Sequence, residues 1–198
     1  VPDLPTNGTF VQFTEGVWRC YTELKGVKPS TLYGYSSMLK KHVLPVLGNL
    51  VLRRITVSDM TDFFAKVRHQ KPSDKYLLNL YALLNIMFEV AREHDLIDTV
   101  PLRRKIHRPK CRRAKKIALS VMQLAAFLEV VERERPEHKA LFWTVAVLGL
   151  RLGELLALRW RRIDFDNMKV FVTENLWRGQ EQNSVKTEGS EAWLPMPK

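Results

Sequence analysis

The chain has 198 residues, of which 45% are hydrophobic, enough to bury the cores of one or two domains. Its net charge of +11 indicates a polyanionic partner, and nucleic acid is the first candidate. Cys20 and Cys111 are the two cysteines and lie far apart, which argues against a disulfide scaffold or a cysteine-ligated metal site. The longest apolar run, residues 140–150, is too short to span a bilayer, and no charged-then-apolar leader opens the chain. We therefore expect a soluble, cytoplasmic protein.

Two helices are predicted after an extended arm over residues 1–9, which contains two prolines and a glycine. Apolar side chains recur at steps of three and four through residues 10–24, and this spacing predicts an amphipathic helix that ends before Gly26. The second helix is predicted to begin at Pro29 and to end at the break that Pro45 imposes.

The next two helices carry clear start signals. Thr56, with Asp59 three residues on, has the pattern of a capping box for the third helix. Ser73 begins the fourth and longest helix, which runs to about Asp95 and is apolar on more than one face. We expect the others to cover this central helix, and we predict a bundle of four or five helices over residues 1–102.

Two groups of polar residues in the bundle are candidates for contacts with DNA phosphates, because hydroxyl and ammonium groups suit phosphate oxygens. For each residue the alternative is a solvated helix face or a cap. The candidates are Lys28, Ser30, Thr31, Lys40 and Lys41 on the second helix, and Lys71, Ser73, Lys75 and Tyr76 at the start of the fourth.

A basic segment follows the bundle. Residues 103–116 hold nine Lys or Arg and no acid, which leaves only +2 of the net charge of +11 for the rest of the chain. The segment lacks apolar periodicity, contains Pro109 and repels itself, so we predict an extended interdomain linker over residues 103–119. His107 and Cys111 have no companions at metal-ligand spacing, and no metal site is predicted here.

The basic segment could cross the DNA backbone as a strap, where each phosphate contact would release counterions and steepen the salt dependence of binding. A plain solvated linker and a basic targeting run are the alternatives. The candidate DNA contacts of this strap are Arg108, Lys110, Arg112, Arg113, Lys115 and Lys116.

Residues 120–198 begin with two helices. Ser120, with Gln123 three residues on, has the capping-box pattern and opens a helix to about Glu132. Pro136 then opens an apolar helix through residues 140–150, which we expect to be buried. The inward positions of the first of these helices are predicted to be Leu124, Phe127, Leu128 and Val131.

The pattern then changes to that of strands. Residues 169–173, 183–187 and 191–195 are predicted to form an antiparallel sheet beside the helices, with a turn at residues 188–190. The connection over residues 174–182 is expected to be a loop. The predicted fold class is therefore mainly α with a small antiparallel β-sheet.

Arg151 lies where two helices are predicted to meet. Gly149 is suited to end the apolar helix, and helical spacing resumes at Leu155. A guanidinium at this junction lies beside the unpaired N–H groups of the next helix, where the helix dipole also favours an anion. Glu154 can reach back and fix the arginine in one rotamer. For a lone arginine the alternative is an ordinary surface charge.

The order of these elements resembles the first arginine box of the tyrosine recombinases, the phage-integrase family. The shared features are an apolar helix, Gly149-Leu150-Arg151 with Gly153-Glu154-Leu155, a short helix, Leu158-Arg159-Trp160 and Ile163-Asp164-Phe165. Ser184-Val185-Lys186-Thr187, followed by Ala192-Trp193-Leu194-Pro195, resembles the family's Lys-Thr turn and closing strand. The helical bundle resembles the SAM-like core-binding domain that precedes the catalytic domain in integrases. Leu148 is a mild departure, since the family often has Thr there.

The resemblance implies an enzyme that cuts and rejoins DNA through a 3′-phosphotyrosine, with neither ATP nor metal and no other cofactor. Arg151 would stabilise the charge on the phosphorane-like transition state, Lys186 would protonate the leaving 5′-oxygen, and Glu154 would support Arg151. It also implies double-stranded DNA as partner, a tetramer on paired DNA sites, and a bacterial or phage origin in a mobile element. Residues 120–198 would be the N-terminal portion of the catalytic domain.

The family's His-x-x-Arg box and nucleophilic tyrosine would follow Lys186, and the tyrosines of this chain all lie in the helical half. We therefore expect a fragment that binds DNA without cleaving it, and no nucleophile within it. Two rival functions stay open: a non-enzymatic DNA-binding regulator, and a helical interaction module whose basic run is incidental. A parent gene without the tyrosine would favour the first, and binding insensitive to salt would favour the second.

Overall fold

The computed structural model describes residue 5 and residues 7–111, 117–182 and 192–196. The chain divides into two compact units, Val1–Ala114 and Lys115–Lys198. Each unit has its own hydrophobic core. Among the residues that the structure describes, no helix is both long and apolar enough to cross a membrane.

The first unit is a bundle of helices, as the sequence predicts. The first helical run has a π-helical turn, Thr14–Trp18, in its middle, and the second has one at Leu39–Val43. A 3₁₀ turn, Leu52–Arg54, precedes the third helix. The α-helices are α1 (Phe10–Phe13), α2 (Arg19–Leu24), α3 (Pro29–Met38), α4 (Leu44–Leu47), α5 (Val57–His69), α6 (Asp74–Glu93) and α7 (Arg104–His107).

Helix α6 is the central helix of the first unit, which confirms the prediction from its apolar circumference. Nine of its residues are buried, and they contact the buried side chains of the surrounding helices. Phe88 of α6 packs against Phe10 with ring centroids 5.7 Å apart, and Phe63 of α5 is fully buried. The capping box of Thr56 and Asp59 is also confirmed, with both reciprocal hydrogen bonds present.

The predicted break of the second helix at Pro45 is wrong, because the helix continues as α4 to Leu47. The π turn Leu39–Val43 interrupts the regular α-helical hydrogen-bond ladder just before the proline. Pro45 therefore stands in the first turn of a new helical segment, where the missing N–H of a proline is tolerated.

The prediction that residues 103–116 are extended is wrong for α7. Leu102 and His107 are both 5% exposed, so this part of the basic segment packs into the first unit. The His107 side chain lies on the inner side of this single helical turn, where it stacks on Phe64 and contacts Thr61. Hydrophobic periodicity cannot predict so short a helix, because one turn holds a single buried position.

The second unit begins with helices. They are α8 (Val121–Glu134), a 3₁₀ turn over Pro136–His138, α9 (Lys139–Leu148), α10 (Leu152–Leu156) and a 3₁₀ turn over Trp160–Arg162. The capping box of Ser120 and Gln123 is confirmed. Leu128 and Val131 of α8 are buried as predicted, whereas Phe127 is 41% exposed and lies edge-on to Phe142 of α9.

The expectation that the apolar helix α9 is buried is wrong. Leu141, Val145 and Leu148 pack on the core of the second unit, but Trp143 is 43% exposed and Val147 is 46% exposed. Helix α9 is apolar except for Lys139 and Thr144, and the described neighbours in its unit cover one side of it. Composition could predict how apolar the helix is, but not how many of its sides have neighbours.

The strands form two small antiparallel sheets. The first has the order β1 (Ile163–Asp164), β2 (Lys169–Val172) and β5 (Ala192–Pro195), with Val170 paired to both Ile163 and Leu194. These strands confirm the predictions for residues 169–173 and 191–195. The strand predicted over residues 183–187 lies outside the described residues.

The second sheet corrects the loop predicted over residues 174–182. Strands β3 (Asn175–Trp177) and β4 (Gln180–Gln182) pair as a hairpin. Its two turn residues both have positive φ, 51° at Arg178 and 78° at Gly179, as a tight type I′ turn requires. The usual sequence signal is Asn-Gly or Asp-Gly, and Arg-Gly in its place hid the hairpin.

Candidate DNA-contacting and catalytic residues

Arg151 occupies the junction between α9 and α10, as predicted. Gly149 ends α9 in the left-handed conformation, with φ of 64°, and its N–H donates to the carbonyl of Val145 at 2.9 Å. Leu150 is buried in the core of the second unit and fixes the path of the connection. Arg151 is then extended and immediately precedes the first turn of α10. The backbone conformation of Arg151 is therefore set by Gly149 and Leu150 on one side and by helix α10 on the other.

Glu154 holds Arg151 by two hydrogen bonds, as the sequence predicts. Its carboxylate accepts from the backbone N–H of Arg151 at 2.9 Å and from guanidinium Nη1 at 2.6 Å. The Glu154 side chain is 9% exposed, whereas the Arg151 side chain is 65% exposed. The carboxylate thus lies in the protein and the guanidinium faces outward, where its planar donors suit a phosphate.

Gly153 allows α10 to approach strand β3 closely. A Cβ atom at this position would overlap the side chain of Asn175, and it would lie 3.0 Å from the carbonyl oxygen of Leu176. Helix α10 carries both Glu154 and the N–H groups that follow Arg151. The glycine therefore determines how close the arginine junction lies to the hairpin.

Three further arginines surround a second carboxylate, which the sequence did not single out. Glu174 accepts a hydrogen bond from Arg162 at 3.1 Å and lies 3.4 Å from Arg159 and 3.9 Å from Arg161. The hydrogen bond from Arg162 is the largest cause that lowers the pKa of Glu174, and the three positive charges act in the same direction. The sequence does not reveal this cluster, because Glu174 is separated from the arginines by β2 and falls in the connection predicted to be a loop.

The other residues predicted to contact DNA or to take part in catalysis differ in exposure and location. Lys28, Lys40, Lys41, Lys75, Arg108 and Lys110 are exposed, and Ser30 is partly buried. Lys41, Ser73 and Tyr76 lie together around one cavity of the first unit. Lys186 and the candidate strap residues Arg112, Arg113, Lys115 and Lys116 lie outside the described residues, so their roles stay predictions.

His107 fixes the start of the basic segment, a role that the sequence analysis missed. Its Nδ1 accepts from the backbone N–H of Arg103 at 2.9 Å, and its Nε2 lies 3.0 Å from Thr61 Oγ1 on α5. The hydroxyl of Thr61 donates in turn to the carbonyl of Val57, so the neutral ring donates from Nε2 to Thr61. Burial lowers the pKa of His107, and the charge of Arg103 adds to this effect.

This architecture is the fold of the tyrosine recombinases. The Tn1549 transposon integrase, in complex with circular intermediate DNA, matches with a TM-score of 0.74 at 21% identity, over 96% of this chain and 61% of that chain. A lambda integrase dimer bound to a COC′ core site matches with a TM-score of 0.71 at 17% identity, over 94% of this chain and 48% of that chain.

Sequence comparison agrees with the fold. The phage integrase N-terminal SAM-like domain matches residues 9–67. The prophage phiRv2 integrase of Mycobacterium tuberculosis is 28% identical over 184 residues, 92% of this chain and 46% of that protein. The ICEBs1 integrase of Bacillus subtilis is 27% identical over 138 residues, 69% of this chain and 37% of that protein. The chain is thus similar to phage and mobile-element integrases, and it spans less than half the length of these two relatives.

Gly153→Ala is expected to destabilise the second unit by about 1–3 kcal/mol, the usual cost of overpacking, because the added Cβ must displace Asn175 or separate α10 from β3. Urea unfolding, monitored through hydrogen exchange of the α10 and β3 amides, measures this loss of stability. Gly34→Ala is the matched control, since a Cβ there has no atom within 4 Å. Equal stability of the two variants would contradict the close-approach explanation.

The stability of the first unit is expected to fall as the pH is lowered below about 6.5, the ordinary pKa of an unfolded histidine. The pKa of His107 is lowered in the folded state, so the unfolded chain takes up this proton first. His107→Gln should weaken the unit at pH 7 and reduce its pH dependence. Thermal unfolding at several pH values tests this, with the exposed His69→Gln as control; an unchanged pH dependence in His107→Gln would contradict it.

Proposed function

We propose that this chain is part of a site-specific DNA recombinase that cuts and rejoins DNA through a 3′-phosphotyrosine intermediate. The observation that carries the proposal is the outward-facing guanidinium of Arg151, which the buried Glu154 holds at a helix junction. The integrase relatives, two of which were solved with DNA, support the same reading. Double-stranded DNA is accordingly the proposed partner.

Arg151 would stabilise the transition state of strand cleavage. Attack on a phosphodiester adds negative charge to the non-bridging oxygens, and a planar guanidinium donates two directed hydrogen bonds to them. Glu154 prevents the arginine from swinging away, so little reorganisation is needed when the charge develops. Among the described residues, Glu154 contacts guanidinium Nη1, and the donors on the other nitrogens would bind the phosphate.

Lys186 would act as the general acid that protonates the leaving 5′-oxygen, provided that bound DNA lowers its pKa enough. The covalent protein–phosphate ester would keep the energy of the broken DNA bond, so ATP is not required. This assignment of Lys186 rests on the resemblance of its turn and of the strand Ala192–Pro195 that follows.

The chain by itself is proposed to bind DNA without cleaving it. Among its tyrosines, Tyr21 and Tyr35 pack against Trp18, and Tyr81 is 9% exposed in the core. None of the five tyrosines is proposed as the nucleophile. A tetramer on paired DNA sites is the proposed assembly of the whole protein; a lambda integrase tetramer has been solved on a Holliday junction. Action in the cytoplasm of a bacterial host is part of the same proposal.

Arg151→Lys, in the recombination-competent protein that contains this chain, is expected to lower cleavage of a suicide DNA substrate by about 10²- to 10³-fold, while site binding changes little. A lysine keeps the charge but cannot form the paired hydrogen bonds. Arg133→Lys, on the exposed surface of α8, is the matched control. Unchanged cleavage by Arg151→Lys would remove the catalytic role of Arg151.

Replacing Arg112, Arg113, Lys115 and Lys116 by Gln tests the strap. If all four contact phosphates, the slope of log affinity against log salt concentration should become shallower by up to about 3.6, since each contact contributes about 0.9. Fluorescence anisotropy with a labelled duplex measures the slope. A second quadruple variant, with Gln at Lys25, Lys66, Arg133 and Arg135, changes the net charge equally and should have a smaller effect. Equal slopes for wild type and the linker variant would exclude the strap.

A further inference from the structure

A cavity of about 240 Å³ lies in the first unit, between the π turn Leu39–Val43 and the N-terminus of α6. It is much larger than the roughly 15 Å³ that a single water needs. Its lining combines polar groups with apolar surface and comes from two separate parts of the chain. The lining residues are Lys41, His42, Gln70, Pro72, Ser73 and Tyr76.

His42 is the unusual member of this lining. Its side chain belongs to a residue that is only 4% exposed, and its Nδ1 has no hydrogen-bond partner within the described part of the chain. A buried polar group without a partner is costly, so a fold that keeps one needs a reason for it. His107, the other buried histidine of this unit, has partners for both ring nitrogens. His42 therefore differs from His107 in having a ring nitrogen without a partner among the described residues.

The π turn explains how a polar residue came to be buried here. The N–H of Leu44 donates to the carbonyl of Leu39, five residues earlier, so the turn contains one residue more than an α-helical turn. Leu39 and Val43 remain in the core, and the extra residue brings His42 inward while Lys41 stays exposed. Such π turns are frequent at functional sites.

Helix α6 supplies the opposite wall. Ser73 Oγ accepts from the backbone N–H of Tyr76 at 3.2 Å, which leaves the hydroxyl proton able to donate elsewhere. The ring of Tyr76 lies edge-on to His42 with centroids 5.5 Å apart, and burial raises the pKa of Tyr76, so its hydroxyl stays a donor at neutral pH. The first turn of a 20-residue helix also favours an anion.

The charges around the cavity favour an anion too. Lys41 lines it, and the exposed residues Lys40, Lys71 and Lys75 are its neighbours in sequence. The nearest carboxylate in sequence, Asp74, is paired with Arg68 at 2.5 Å. Burial and the charge of Lys41 lower the pKa of His42, so the neutral ring presents one N–H. The donors on the lining outnumber its acceptors.

We propose that this cavity, lined by Lys41, His42, Ser73 and Tyr76, binds one backbone phosphate of duplex DNA. The inference rests on the proposed DNA-binding function and deepens it by assigning a phosphate-binding pocket in the first unit. A cation is disfavoured by Lys41 and by the helix N-terminus, and an apolar ligand is disfavoured by the charge of Lys41 and by the His42 Nδ1, which has no partner among the described residues. Free phosphate shares the chemistry of a DNA phosphate, and the experiment must separate the two sources.

The first measurement is duplex affinity of the whole chain at several salt concentrations. Lys41→Gln should weaken binding about 5- to 10-fold and make the salt slope shallower by about 0.9, because one charge contact is lost. Tyr76→Phe should weaken binding about 3- to 10-fold with an unchanged slope, because it removes a hydrogen bond and no charge. Lys66→Gln, an exposed lysine on α5, is the matched control and should bind like wild type.

The second measurement follows the His42 imidazole by NMR in the whole chain, with ¹⁵N-labelled histidine. Adding duplex should shift the His42 signals, and Tyr76→Phe should reduce this shift at equal saturation. Inorganic phosphate alone should shift them only at far higher concentration. His42→Phe, which keeps the aromatic contact and removes both nitrogens, should bind duplex more weakly; thermal unfolding shows whether the variant remains folded.

The outcomes separate this proposal from the proposed function. A chain that fails to bind any duplex contradicts both. A chain that binds duplex with a steep salt slope, but with equal affinity in Lys41→Gln, Tyr76→Phe and Lys66→Gln, retains the function and overturns the pocket. Phosphate that shifts the His42 signals as strongly as duplex at equal concentration would make this a site for free phosphate and would overturn the assignment to DNA.

Discussion

The hydrogen-bonded pair of Arg151 and Glu154 is the constraint around which the second unit is arranged. A buried carboxylate needs partners, and Glu154 finds them in the guanidinium and backbone N–H of Arg151. The carboxylate of Glu154 is buried and the guanidinium of Arg151 is exposed. The pair therefore orients the arginine outward and keeps its positive charge at the surface. Gly149 and Gly153 serve this pair, the first by turning the chain and the second by letting α10 approach β3.

The first unit contains two buried histidines, His107 and His42, to which we assign a structural and a binding role, respectively. His107 has partners for both ring nitrogens and joins α7 to α5, so it turns part of a repulsive basic segment into ordered structure. His42 is equally buried, lies between helices and has an unpaired Nδ1 within the described residues. Burial alone therefore does not tell what a histidine does, whereas the accounting of its hydrogen bonds does.

The two units differ in the polar groups that they present and in the size of their cores. The first unit has a large apolar core around α6 and presents lysines and hydroxyls at its surface, which suits binding of a polyanionic backbone. The second has a smaller core and carries the arginines, with Glu154 and Glu174 orienting them. This orientation suits the proposed role of Arg151, since stabilising a transition state depends on donors that are fixed before the charge develops.

The sequence by itself determined the features that are formed by residues close together along the chain. The capping boxes at Thr56 and Ser120, the central helix α6, the left-handed Gly149 and the contact of Glu154 with Arg151 all join residues within one or two turns. The fold class and the resemblance to integrases followed from the order of these elements. Spacing along the chain is sufficient for such features because near neighbours have few ways to meet.

Only the tertiary structure decided features that join distant residues. Glu174 meets Arg162 across a strand, His107 meets Thr61 on another helix, and Tyr76 approaches His42 from a second element. The hairpin β3–β4 and the continuation of the second helix past Pro45 were also not predicted. The hairpin has Arg-Gly where Asn-Gly or Asp-Gly is usual, and the helix continues because Pro45 lies in the first turn of a new helical segment. Residues far apart in sequence can be brought together in many ways, and packing selects one of them, so no spacing rule could have placed them.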